Sequence, residues 1–496
     1  MPGLTAPNHQ EIDMIQTNTA ERRAPYFRML GEDQVQELIR ATFDVMAKVG
    51  FKVLHAGARE MLKRAGATVK GEWVGVPEHI VRACLATAPH GWTLYNRRGE
   101  RALEVEGRKS YYGTSTASPN TKDALSGEIH PTTVADLALA AKVADALEHI
   151  EWVMPMGSCQ DVPAKAADLH EFFATVSNTV KPIVFLTYSA RGAELVYQMA
   201  AEVAGGLETL QQKPFLVLYP ESISPLTFPE EVVDRMFVAA GLDMPQMMGP
   251  SIQPGATGPV TMAGAVVQGM AESLMGLVLA QLRRPGCPVG AGCNIAVFDM
   301  SLGLVAIGSV EMSVGLAAQA EVAQHLGLPT WGLAGATDAK VVDAQAGADS
   351  AFSILAQGLA GLNLIHDVGY MDGGMVCSVE QLVLGNEIIS AAKHFLRGLE
   401  INRESIARDV IARVGPGGNY LADDHTFTHF RRELWRPALF TRQHYTAWKE
   451  AGGKDTARRI QEKIRRLVET HRPEPLPDRV LAALEAIRTR GEKELA

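Results

Sequence analysis

Cysteine is scarce in this 496-residue chain. There are five, Cys84, Cys159, Cys287, Cys293 and Cys377, scattered and with no CxxC. An odd, dispersed set excludes a disulfide framework and suits a reducing, cytoplasmic setting. Positive charge is also short: 47 Lys and Arg stand against 56 Asp and Glu, a net charge of -9. A nucleic-acid partner needs clustered cations to neutralise phosphates, so none is expected. The longest apolar stretch, VTMAGAVVQGMAESLMGLVLAQL, is broken by Gln268 and Glu272, and no membrane span is expected from it. The opening residues, MPGLTAPNHQEIDM, have neither a basic nor an apolar leader region, so no signal peptide is expected. Aromatic residues make up only 6% of the chain, so each one near a candidate site carries more weight than usual.

What is present is a rhythm. Residues 1–30 read as a polar arm. Residues 32–49 have helical apolar spacing, and WTLYNRRGERALEV reads as a hairpin turning at Arg98–Gly99. Residues 1–108 are therefore expected to form an arm and an N-terminal α/β cap. From about residue 109, short apolar segments alternate with longer helical ones. The candidate strands are SYYGTST, EWVMPMG, PIVFLTY, FLVLYPES, QMMGPSI, VGAGCNI, TWGLAGATD and LNLIHDVG. The candidate helices span 132–147, 164–178, 191–204, 229–240, 263–282, 308–326, 341–361 and 377–396. Eight strand-then-helix units imply a parallel sheet with crossover helices, and a TIM (β/α)8 barrel over 109–400 fits them better than an open sheet. Residues 401–496 read as a charged C-terminal helical extension with a solvated face. The small-residue faces of the barrel helices leave room for a homo-oligomer.

In such a barrel, chemistry sits where strands end. Tyr111 and Tyr112 stand in the first segment. Tyr219 and Glu221 follow the fourth, Gln253 the fifth, Asn294 and Phe298 the sixth, Thr337 and Asp338 the seventh, and His366, Asp367 and Tyr370 the eighth. Aromatics and carboxylates with few cations suit a small cationic ligand, because ring faces attract a quaternary ammonium. Blander roles fit the same residues. Tyr111 and Tyr219 match core aromatics with one wet end, Asp338 and Asp367 match helix caps, and His366 matches a structural histidine. The GATGPVTMAG loop lacks GxGxxG and GxxxxGK[ST], and reads as a place where backbone and ligand approach closely. His425 and His429, four apart in ADDHTFTHF, would share a helix face. No HExxH is present, and no metal is expected there.

Five motifs point further. GATGPVTMAGAVVQGMAESL (255–274), AGATDAKVVDAQAG (334–347), LAGLNLIHD (359–367), SVEQLVLGNEII (378–389) and DDHTFTHFRRELWRP (423–437) together resemble the trimethylamine methyltransferase superfamily. The resemblance covers nearly the whole chain. It implies a TIM barrel that moves a methyl group from a methylated amine to Co(I) of a corrinoid, carried by a separate small protein docked at the barrel mouth. Archaeal trimethylamine enzymes carry pyrrolysine near the stretch that here reads WGLAGATDAK. This chain has ordinary residues there, and so resembles the branch that includes glycine betaine methyltransferase. A quaternary nitrogen already bears its charge and leaves as a neutral amine, so the protein must only desolvate it, orient it and expose one methyl. On that reading His366, Asp367 and Asp338 are the catalytic candidates. Tyr111, Tyr112, Tyr219, Glu221, Gln253, Asn294, Phe298, Thr337 and Tyr370 are the substrate-binding ones. His366 and Asp367 cannot both point inward if their strand stays regular, and His366 is expected to be the inward one. Two alternatives remain open: a zinc-dependent methyltransferase using His425/His429 or Cys287/Cys293, and a barrel that only binds a betaine-like solute.

Overall fold

The computed structural model describes residues 14–16 and 27–496, so most of the polar arm lies outside the described residues. Its centre is a seven-stranded parallel sheet. The order is Ile183–Phe185, Leu216–Leu218, Gln246–Met248, Val289–Gly292, Thr330–Leu333, Leu364–Val368 and Tyr111–Thr114. The two edge strands are bridged through residues 152–153: Trp152 pairs with Gly113, and Val153 pairs with Ile183. Backbone bonds support both bridges, from Glu151 to the Tyr112 carbonyl and between Val153 and Val184. Each strand leads into a helix, the pattern that strand-helix alternation in the sequence predicts.

The strands read as continuous apolar runs because both faces are covered. Alternate residues divide between two layers. Trp152, Met154, Val184, Val217, Tyr219, Met247, Trp331 and Leu364 form one interior cluster, while Ile183, Phe185 and Leu216 pack against the surrounding helices. Two bulky indoles fit inside because Gly113 and Gly249 give them room. A Cβ on Gly113 would lie 2.3 Å from Trp152, and one on Gly249 would meet Tyr219 at 2.6 Å and Trp331 at 2.8 Å.

The hairpin Gly91–Tyr95/Arg101–Glu106 turns where Arg98–Gly99 predicts, and it sends Leu94, Leu103 and Val105 into the same interior cluster. These side chains stop the interior at the strands' N-terminal ends, here called the foot. The helix Met262–Arg283 is long and apolar enough to cross a bilayer, yet it packs within the fold. Gln268 and Glu272, which interrupt its apolar run, hold a loop there: Glu272 accepts from Ser222, Ser224 and the Leu226 amide. The C-terminal tail is more than a solvated face. Ile460 and Ile464 of helix Thr456–Thr470 pack against the outer helices, as do Val480 and Leu484 of helix Asp478–Leu495.

Candidate active site at the strand C-terminal ends

At the opposite end, the mouth, polar groups converge on Asn294, which is buried just past the Val289–Gly292 strand. Its Nδ2 donates to the Tyr219 hydroxyl at 2.5 Å and reaches Ser251 Oγ at 3.2 Å. Its Oδ1 accepts from Trp331 Nε1 at 3.1 Å and faces His366 Nε2 at 3.3 Å. An indole nitrogen can only donate, so the amide orientation is set by Trp331, and His366 Nε2 is the donor in its contact with Asn294 Oδ1. The Tyr219 hydroxyl in turn donates to Glu221 at 2.5 Å, and Glu221 also accepts from Ser251 at 2.9 Å. Burial, and then the Glu221 charge, push the Tyr219 phenol well above its usual range, so it stays a neutral donor. The rings form a stack. Trp331 lies 4.3 Å from His366 at 27° and 4.7 Å from Tyr219 at 29°.

The His366–Asp367 step departs from a regular strand. The register slips between Ile365 and Val368, and Asp367 adopts φ +81. This bulge turns the Asp367 carboxylate back beside its neighbour, so the exclusion expected of adjacent strand residues does not hold here. Asp367 Oδ1 lies 2.6 Å from His366 Nδ1, but the two are not aligned for a hydrogen bond, and both atoms are buried without a hydrogen-bond partner. Tyr370 completes the wall. Its phenol is pushed well up by burial and then by the Asp367 charge, and it hydrogen-bonds to the Thr116 backbone.

Of the residues singled out from the sequence, Tyr219, Glu221, Asn294, His366, Asp367 and Tyr370 are thus brought together. The others are not. Tyr112 faces outward: it is fully buried among the outer helices and its hydroxyl donates to the Ile354 carbonyl at 2.9 Å. Tyr111 faces inward but at the foot, where its hydroxyl accepts the Glu104 amide at 3.2 Å. Asp338 is a loop anchor, accepting the amides of Ile307 and Gly308 at 3.0 Å each. Thr337 donates to Asp349 at 2.7 Å and accepts the Ala339 amide. Gln253 closes the GATG turn with its carbonyl, which accepts the amides of Ala256, Thr257 and Gly258. Phe298 stands on the hairpin Val297–Asp299/Leu304–Ala306 that follows the Asn294 segment. Trp331 and Ser251 were missed. Trp331 was legible in principle, since it pairs with Leu364 two residues before the His366 position and so shares its inward face.

For the zinc alternative, no group of three or more His, Cys, Asp or Glu side chains is placed to hold a metal among the described residues. The rings of His425 and His429 are 4.3 Å apart, and His429 pairs with Glu404. Cys287 and Cys293 contact different partners, Ala280 and Gln319, and burial pushes the Cys287 thiol up to about 12.

The molecule is thus an α/β protein whose parallel sheet opens onto a mouth of aromatic rings and carboxylates. A sequence profile of the trimethylamine methyltransferase (MTTB) family matches residues 5–496, and the chain belongs to that family. It is 29% identical over 473 residues to a glycine betaine methyltransferase of Desulfitobacterium hafniense, covering 95% of this chain and 98% of that one. It is 31% identical to a trimethylamine methyltransferase of Methanosarcina thermophila, over 92% and 95% of the two chains. Among solved structures, the monomethylamine methyltransferase of Methanosarcina barkeri aligns with a TM-score of 0.46 at 11% identity, covering 96% and 93%.

Proposed function

We propose that the protein transfers a methyl group from a quaternary amine, glycine betaine or a related betaine, to a corrinoid carried by a partner protein. One observation carries this reading. Two carboxylates, Glu221 and Asp367, converge with the rings of Tyr219, Trp331 and Tyr370 at one end of the sheet. That lining matches a methylated ammonium ion, whose charge is diffuse and whose surface is apolar. Family membership and the names of the relatives support the same reaction class.

The residues divide the work. Tyr219, Trp331 and Tyr370 desolvate the ammonium group, Glu221 balances its charge, and His366, stacked on Trp331, limits how the substrate can turn. Holding one methyl in line with the attacking atom is the main contribution such a site makes. The corrinoid cobalt supplies the nucleophile. Exposed apolar side chains on loops beyond the strand ends, Val260, Met300, Leu302, Leu304 and Met375, suit the seating of a partner protein over the mouth. In this reading residues 152–153 are the eighth strand of a closed (β/α)8 barrel over 109–400, flanked by the cap of 1–108 and the extension of 401–496. The buried, unpaired cysteines are in keeping with a cytoplasmic protein.

The test mixes purified protein with chemically reduced cob(I)alamin and a panel of quaternary and tertiary amines, and follows absorbance. Methylation of the corrinoid by a quaternary amine is expected. Failure with every amine, both with free corrinoid and with corrinoid-protein fractions, would remove the proposal.

A further inference from the structure

A betaine carries a carboxylate as well as its ammonium group, and Lys340, the cation past the Thr330–Leu333 strand, is already paired with Asp372 at 3.2 Å. The search therefore moves one layer out. Arg235 stands on helix Glu230–Gly241, which descends from the mouth after the Leu216–Leu218 strand. Its side chain reaches back to the strand ends. One Nη donates to the Thr187 carbonyl, and Nε donates to the Glu231 carbonyl at 3.0 Å.

What this guanidinium lacks is informative. Among the described residues both of its hydrogen bonds go to backbone carbonyls, and it forms no ion pair. Glu221 and Asp168 are the foremost charges around it. Yet each of those carboxylates is occupied by neutral donors: Glu221 by Tyr219, Ser251 and Asn294, and Asp168 by the amides of Leu169 and Tyr188. If Arg235 served only to neutralise them, a direct pair would be the expected arrangement, because arginine favours forked contacts to carboxylate. The Thr187 hydroxyl, on the residue whose carbonyl Arg235 holds, is itself buried and unpaired. Arg235 is part-buried, and a guanidinium whose hydrogen bonds go to carbonyls alone still has N–H groups to offer an arriving carboxylate.

We propose that Arg235 is a carboxylate subsite, so that Glu221 and Asp367 with their rings form one pole of a zwitterion site and Arg235 the other. The proposal rests on the methylamine reading and deepens it by naming the substrate class: amines bearing both a quaternary nitrogen and a nearby carboxylate. Glu221, of the ammonium pole, is also the foremost charge acting on Arg235, so the two poles are close, which suits a ligand whose charges are separated by a short carbon link. Choline, with the same trimethylammonium group and a hydroxyl in place of the carboxylate, lacks the second pole.

The experiment compares glycine betaine with choline, by calorimetry and by corrinoid methylation, in the wild type, Arg235→Met and Arg235→Lys. The wild type should prefer betaine. The preference should collapse roughly 100-fold in Arg235→Met, the scale of a lost charge-assisted pair, and recover in part in Arg235→Lys. The loss should fall on KM rather than kcat, and circular dichroism of both variants should match the wild type. A wild type that takes choline as readily as betaine overturns the subsite alone, as does an Arg235→Met protein that is folded and keeps its preference. A wild type that takes neither compound but takes an amine without a carboxylate overturns the subsite alone, and one that takes no amine of the full panel overturns the methylamine reading and the subsite with it.

Discussion

Tyr111 and Tyr219 both point into the interior of the same sheet, one at each end. At the foot, the Tyr111 hydroxyl takes a single backbone amide, and its ring lies among Trp92, Leu94 and Leu103. At the mouth, the Tyr219 hydroxyl meets Glu221, Asn294 and the Gly249 carbonyl, and its ring is stacked in series with Trp331 and His366. The backbones differ in the same direction. Six non-glycine residues have positive φ among the described residues; three of them, Ala117, Leu226 and Asp372, lie on segments beyond strand C-terminal ends, and Asp367 lies in the bulged end of the Leu364–Val368 strand. The foot has a more ordinary backbone and few polar groups, although Trp92 Nε1 and the side-chain amide of Gln246 are buried there without partners. The mouth keeps polar groups buried, crowded and in part unpaired, the arrangement expected where geometry serves a ligand rather than the fold.

If that contrast is real, substitutions at the two ends should separate stability from activity. The largest effect is expected on the foot side. Trp152 is fully buried and bonds the Tyr111 carbonyl at 3.1 Å. Trp152→Ala should cost about 3–5 kcal/mol in urea unfolding, since the packed strands and helices around it cannot close over the cavity. At the mouth, His366→Ala should lower methyl transfer by roughly 100-fold or more through lost positioning. It should cost about 2–3 kcal/mol of stability, less than Trp152→Ala, because a smaller ring gives up its stack on Trp331 and one long hydrogen bond. Methyl transfer near the wild-type rate in His366→Ala would erase the contrast.

Seven parallel strands and their helices were legible because a doubly covered parallel strand leaves a plain signal: a short apolar run between amphipathic stretches. Tyr219, Glu221, Asn294 and His366 were legible for a related reason, since strand ends of such a sheet face one space. Three kinds of residue escaped. Tyr112 read as a strand-end residue because two adjacent tyrosines look alike until the pleat assigns one inward and the other to the Ile354 carbonyl. Asp338 read as a catalytic carboxylate or a helix cap, whereas it takes the Ile307 and Gly308 amides from thirty residues away, a contact no local pattern encodes. Arg235 was invisible to any reading of strand ends because it sits on a helix and reaches the mouth only through the length of its side chain.

The smallest expected effect is the most discriminating. Asp367 combines two unfavourable features, a left-handed backbone and a buried carboxylate oxygen with no hydrogen-bond partner. Glycine adopts φ near +81 without steric penalty, so Asp367→Gly removes both. Relief of the backbone is worth roughly 1–2 kcal/mol, against about 0.5–1 kcal/mol for the greater freedom of unfolded glycine. Removing the carboxylate adds to the gain. Urea unfolding of Asp367→Gly should therefore show stability equal to or up to about 1 kcal/mol above wild type, with methyl transfer reduced. Asp367→Asn, which keeps the size and tolerates the same φ, should separate charge from backbone: if the carboxylate is needed beside the substrate cation, Asn loses activity as Gly does. Should Asp367→Gly instead unfold more easily than wild type, the bulge would be a structural device of the sheet, and the strained mouth would have no more claim to function than the foot.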